Sequence, residues 1–174
     1  MIEVYTCRVA FGSRCPMYSK IILTLDGADV SRQAIPHALT LAKQTGAALI
    51  LLQVIDSESQ ILMQTASASM EPIGAGQITA QLAQETVAAQ RTEAQANLEA
   101  VKAELAAGGV TNVTTMIRSG HPGDEIVDVA NETKADMVVI ATHGRGGISR
   151  AILGSVADHV VRNTPLASVL LVRA

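Results

Sequence analysis

The stretch Ala141-Thr142-His143-Gly144-Arg145-Gly146-Gly147-Ile148-Ser149, followed by Arg150 and then by Gly154-Ser155, gathers the residue types that hold an anion. Gly144, Gly146 and Gly147 let the backbone approach a ligand closely and turn N–H groups toward it. Gly154-Ser155 stands where a helix can open, and the free N–H groups of a first turn, together with the helix dipole, favour phosphate. Ser155 adds a hydroxyl; Arg145 and Arg150 add positive charge. Spacing alone leaves a second reading open, in which the glycines only turn the chain and Ser155 only caps a helix. Asp26 is the other candidate, as a hydrogen-bond acceptor, a turn cap or a general base.

Several familiar chemistries lack their residues. No G-x-x-x-x-G-K-[ST] is present, and Gly144-x-Gly146 is not completed, because Ser149 stands where a third glycine belongs. Neither a P-loop nor a dinucleotide fingerprint is therefore supported. No G-x-S-x-G elbow supplies a hydrolase serine. His37, His121, His143 and His159 are dispersed without metal-ligand spacing, and both cysteines, Cys7 and Cys15, lie near the start. A disulfide scaffold is excluded, and a reducing, cytoplasmic setting is the simpler expectation.

The elements that must position these residues follow from composition and periodicity. The 174 residues are 48% hydrophobic and 17% charged, with net charge −3, which suits one folded domain and argues against disorder. An acidic balance and 2% aromatics leave no basis for nucleic-acid binding. Mean hydropathy is +0.29, yet the longest apolar runs fall far short of the ~20 residues of a membrane span, so no membrane insertion is expected. Residues 1–16 show no period and read as a poorly ordered extension, leaving 17–174 as the domain.

Apolar runs at 20–25, 48–55, 113–117, 137–141 and 168–172 read as buried strands. Between them, helices are expected from a Ser31 cap to Gly46, over 78–107 with Leu82, Val87, Ala94, Leu98, Val101 and Leu105 inside, over 124–133, and over 156–162. Residues 57–76, rich in Ser, Ala, Gln and Gly, read as a long mobile connection. Gly120-His121-Pro122-Gly123 reads as a turn. The alternation gives an α/β fold, an open, doubly wound, mostly parallel five-stranded sheet with helices on both faces. Residues 42–52 echo 130–140 at one fixed offset, sharing Ala42/Ala130, Thr45/Thr133 and Ala47/Ala135; the echo reads as a generic helix-to-strand junction.

The segment VVIATHGRGGISRAILGSVADHVVRNTPLASVLLV, with KIILTLDG and LAKQTGAALILLQVID before it, resembles the universal stress proteins over about residues 20–173. Nucleotide-binding members of that family look like G-x2-G-x9-G-[ST]; here the pattern reads Ala141-x2-Gly144-x9-Gly154-Ser155. The resemblance implies a Rossmann-like fold of the adenine nucleotide alpha hydrolase type and a site for ATP, or AMP, with Mg²⁺. In that site Asp26 meets the adenosine part, with the Thr24 and Leu25 backbone beside it, and Leu49 lines the adenine pocket. Ile140 and Ala141 approach the ribose and phosphates, His143 and Gly144 hold phosphate, and Gly154, Ser155 and Val156 close over its far end. It also implies a homodimer through the last strand, opened by Ser168 and closed by Val172, and a regulatory protein partner of unknown identity.

Two departures stand out. Ala141 replaces the first motif glycine, which is harmless at negative φ on an open path and costly at positive φ or in close contact. Thr24-Leu25 stands where many nucleotide binders carry a proline. The expected function is a stress-response regulatory or sensor module that binds ATP. Any hydrolysis would be slow, because no dedicated base, lysine clamp or arginine finger is evident. The alternatives are a nucleotide-free interaction dimer of the same fold and an enzyme acting on an adenylated or phosphorylated metabolite.

Overall fold

A computed structural model describes residues 18–68, 76–142 and 154–173. The five strands are β1 (Lys20–Leu25), β2 (Ala48–Ile55), β3 (Val113–Ser119), β4 (Met137–Thr142) and β5 (Ser168–Arg173). They form one sheet in the order β3-β2-β1-β4-β5, and every pairing is parallel. The helices among these residues are α1 (Asp29–Arg32), α2 (Ile35–Thr45), α3 (Glu58–Ala68), α4 (Gly76–Ala107), α5 (Pro122–Thr133) and α6 (Ser155–Asn163). From β1 the chain steps outward through β2 to β3, then returns across the sheet to place β4 on the other side of β1. The winding therefore reverses between β1 and β4.

Both faces of the central strands are covered, which explains their continuous apolar runs. Ile21, Leu23, Leu49, Leu51 and Val139 pack with Ala38 of α2 and Leu98, Val101 and Leu105 of α4. Ile22, Leu52 and Val138 pack on the opposite face with Val129 of α5 and Val160 of α6. Each such aliphatic side chain contributes about 1.5–3 kcal/mol by leaving water. The edge strands β3 and β5 are only partly covered.

Three expectations are corrected. Ser31 does not open one long helix: it lies inside the short α1, where its hydroxyl donates to the Ala28 carbonyl at 2.7 Å and accepts from the Asp26 amide at 3.4 Å. Pro36 then sits in the first turn of a separate α2, where a missing N–H costs nothing. The expected connection from 57 onward contains α3. Its start is a capping box: the Ser57 hydroxyl accepts from the Gln60 amide at 3.3 Å, and the Gln60 Oε1 accepts from the Ser57 amide at 2.7 Å. The signal Ser57-x-x-Gln60 was legible in the sequence. In the third case, Pro122 and Gly123 belong to α5 and not to a turn before it.

The amino edge of the sheet is tied by one carboxylate. Asp136 Oδ2 accepts from the Ser19 hydroxyl and amide, both at 2.7 Å, and from the Lys20 amide at 2.9 Å. Burial opposes its ionisation, but the Ser19 hydroxyl, the two amides and the Lys20 charge outweigh burial and lower its pKa. A folded pKa below the unfolded one, about 4, gives stability that is full above that value and fades as pH falls through the folded value. Asp136→Asn is expected to cost about 1 kcal/mol at pH 7, a figure already reduced for the group's solvent contact. The gap from wild type should shrink in urea melts below pH 4; a gap that is constant with pH would contradict this account.

The internal echo has a structural counterpart. Gly46 (φ 75°) and Lys134 (φ 52°) are matching left-handed C-caps, whose amides bond to Ala42 and to Ala130 and Asn131 respectively. Thr45 and Thr133 each bond back to the carbonyl four residues earlier. The two junctions feed β2 and β4, the neighbours of β1 on either side. Lysine carries a Cβ where glycine has none, so Lys134→Gly is expected to stabilise by roughly 0.5–1 kcal/mol. An unchanged or lower melting midpoint would contradict it.

Candidate functional site

The carboxyl ends of β1 and β4 part from each other. β1 stays paired to β2 through Leu25↔Gln53, and β4 stays paired to β5 through Thr142↔Arg173, but the β1–β4 ladder ends at Leu23↔Val139. At the apex of this fork the Thr24 hydroxyl, buried, donates to the Val139 carbonyl at 3.3 Å. A fork at the point where the winding reverses is where open α/β sheets take ligands.

Beyond the apex, Asp26 directly follows β1 in an exposed position. Its Oδ1 accepts from the Ala28 amide at 2.9 Å, closing a turn through Gly27, whose φ of +82° suits glycine. Leu25 and Ile140 are buried. Ala141 is half-buried, packs against the core on the α2 and α4 face, and is not among the positive-φ residues. Its methyl is thus free of backbone strain. Thr24, Leu25, Asp26, Ile140 and Ala141 are brought together at the fork.

Leu49 is not. It lies at the amino end of β2, paired with Ile21 and Val113 and with no exposed surface. The residues of β2 that reach the carboxyl edge are Gln53, opposite Leu25, the half-buried Val54 and the buried Ile55. Gln53 Oε1 accepts from Asn97 of α4 at 2.8 Å. Counting positions from the end of the strand, instead of matching an apolar residue to a pocket, would have found them. His143 and Gly144 lie outside the described residues, as do Arg145, Gly146, Gly147, Ser149 and Arg150.

α6 returns from β4 toward the start of β5, so its first turn is at the carboxyl edge. Its first internal bond runs from the Asp158 amide to the Gly154 carbonyl at 2.9 Å, which leaves the amides of Ser155, Val156 and Ala157 without intrahelical acceptors. Among the described residues no side chain caps them. Asp158 bonds to Arg162, which lowers the Asp158 pKa and turns this carboxylate to its own helix. A Cβ built on Gly154 meets nothing within 4 Å, and its φ of −55° is open to any residue. The described part of the fold thus gives no reason for glycine here. Close approach of a ligand would give one.

Elsewhere at this edge, a concavity of about 600 Å³ opens between α3, α4 and the end of β3, lined by residues that include Ser57, Leu62, Arg91 and Ser119. It contains none of the fork residues. Among the described residues no cluster of His, Cys, Asp and Glu is arranged to hold a metal, and no helix is long and apolar enough to cross a membrane.

A doubly wound parallel sheet with a reversal fork at its carboxyl edge defines the class of open α/β domains. Within that class, the family model described as "Universal stress protein family" matches residues 17–173, and the chain belongs to that family. It is 33% identical over 147 residues to the universal stress protein MJ0531 of Methanocaldococcus jannaschii, covering 84% of this chain and 78% of that protein. The solved structure of MJ0577 from the same organism aligns with a TM-score of 0.69 at 25% identity, covering 91% of this chain and 97% of the other. A universal stress protein solved in complex with cAMP aligns with a TM-score of 0.61 at 24% identity, covering 90% of this chain and 97% of the other.

Proposed function

We propose that this chain binds ATP, or AMP in its place, at the β1–β4 fork and acts as a stress-response regulatory module. The observation that carries the reading is Gly154: a glycine that no described neighbour requires, heading a helix whose first three amides have no acceptor among the described residues, beside the fork. The family membership supports it, and the neighbour solved with cAMP makes adenine nucleotides the ligands to test first. In this reading Asp26 accepts from the ribose through its outer oxygen, and Val54 and the Leu25 backbone wall the base. Ser155 and the α6 amides receive phosphate, and Mg²⁺ arrives on the phosphates. His143 and Gly144 remain assigned to phosphate from the motif alone. An ATP-binding module of this kind belongs in the cytoplasm, with slow hydrolysis at most.

The test is titration calorimetry of nucleotide-stripped protein with ATP and Mg²⁺. Binding near one ATP per chain at micromolar concentrations is the expected result. No heat and no thermal shift at millimolar ATP would reject the reading in favour of a nucleotide-free interaction module.

We further propose that two copies pair through β5. Val169, Leu170 and Leu171 are half-buried on this edge strand, and Leu166 just before it is 86% exposed. An uncovered apolar edge invites a second copy. Leu170→Lys is expected to shift the mass in light scattering from dimer to monomer; an unchanged mass would place the interface elsewhere.

A further inference from the structure

The short helix α6 is weakly anchored by apolar contact, since only Ala157 and Val160 of its nine residues are buried. A polar tether holds it as well. His159 Nε2 lies 2.9 Å from Asp124 Oδ1 in the first turn of α5. Among the described residues this is the one close contact between a basic and an acidic side chain that joins α5 to α6.

Gly123 shows how closely the pair is seated. A Cβ there would stand 2.9 Å from His159 Cδ2 and Cγ and 3.1 Å from His159 Cβ. Gly123 is buried in the first turn of α5 and is not among the positive-φ glycines. The local backbone therefore does not require glycine. Its place is explained by the imidazole lying against α5. The first turn of α5 is itself braced, because His121 Nδ1 meets Gln60 Nε2 of α3 at 3.2 Å. α5 in turn packs Ile126, Val129 and Ala130 on the sheet.

His159 follows Ser155 by four positions, one helical turn, so whatever fixes His159 fixes the first turn of α6. We propose that Asp124 and His159 are positioning residues, whose clamp on Gly123 aims the first-turn amides of Ser155, Val156 and Ala157 at the β1–β4 fork. The proposal rests on the nucleotide reading of that fork. Neither residue touches the ligand in it; both act through α6. Preorganised donors bind an anion without first paying to be ordered, so loosening the clamp weakens binding while the fold survives.

The test uses the full chain with and without ATP and Mg²⁺. In the ligand-free protein, amide exchange at Asp158 and Val160 should quicken by roughly five-fold in Asp124→Ala and in His159→Ala, with exchange in β1 unchanged. ATP affinity should fall by roughly five-fold in each single variant and no further in the double variant, because either change breaks the same contact. His159→Gln, which keeps an N–H donor, should recover most of the loss. Unchanged exchange and affinity in both single variants would overturn the clamp, as would losses that multiply in the double variant. Those outcomes leave nucleotide binding by the wild type standing. A wild type that binds no ATP would overturn the nucleotide reading itself, and the positioning role with it.

Discussion

Gly154→Val should reduce ATP affinity by about 100-fold while leaving the far-ultraviolet circular dichroism of the chain unchanged. The two halves of this expectation have separate causes. No described residue stands within 4 Å of a Cβ at Gly154 and its backbone is one that valine can adopt, so the helix should still form. Gly154 itself has no side chain, so the substitution removes no side-chain cap. A branched side chain would nevertheless fill the approach to the amides of Ser155 and Val156. Losing two charge-assisted hydrogen bonds costs about 3 kcal/mol, which is the 100-fold. Ala141→Gly is the contrasting variant. The Ala141 methyl packs toward the core at an unstrained backbone, so affinity should change by less than roughly two-fold. Equal ATP affinity in Gly154→Val and wild type would remove the first turn of α6 from the site.

The second large effect concerns stability. Leu98→Ala should cost about 3 kcal/mol, and Leu82→Ala, the same substitution in the same helix, less than about 0.5 kcal/mol. Leu98 is fully buried against the sheet beside Val101 and Leu105, and its removal leaves a cavity. Leu82 is 52% exposed. For a chain of this length the first loss corresponds to a fall of roughly 10 °C in melting midpoint. Similar losses for the two variants would mean that α4 does not present the face described.

Leu82 also shows where the sequence misleads. It was expected inside because it is leucine, but the buried stripe of α4 runs through Ala83, Ala94, Leu98, Val101 and Leu105. Leu82 is one position, about 100° of rotation, off that stripe. Phase along a helix decides burial, and an alanine in phase is buried where a leucine out of phase is not. α3 is a different kind of miss. The small and polar composition of 57–76 suggested a connection, while the capping box at Ser57 and Gln60 carried the helix signal in two residues.

The five strands were legible because continuous apolar runs of strand length have few uses other than burial in a sheet, and their ends fell within about two residues of those expected. Their alternation with helices also determined the doubly wound class and brought Asp26 and Ala141 to one edge. The sequence pattern likewise marked Gly154-Ser155 as the head of a helix. Only the tertiary structure decided which strand neighbours part. The fork exists because the β1–β4 ladder stops at Val139 while the flanking ladders continue, and no local propensity encodes where a ladder stops. Only the tertiary structure removed Leu49 from the site, by setting it at the amino end of β2, and brought Gly123 under His159 across 36 residues of chain. Periodicity reports which face of an element leaves water. Which end of a strand meets a ligand, and which side chain lies on a distant glycine, depend on register and helix packing between segments far apart in the chain.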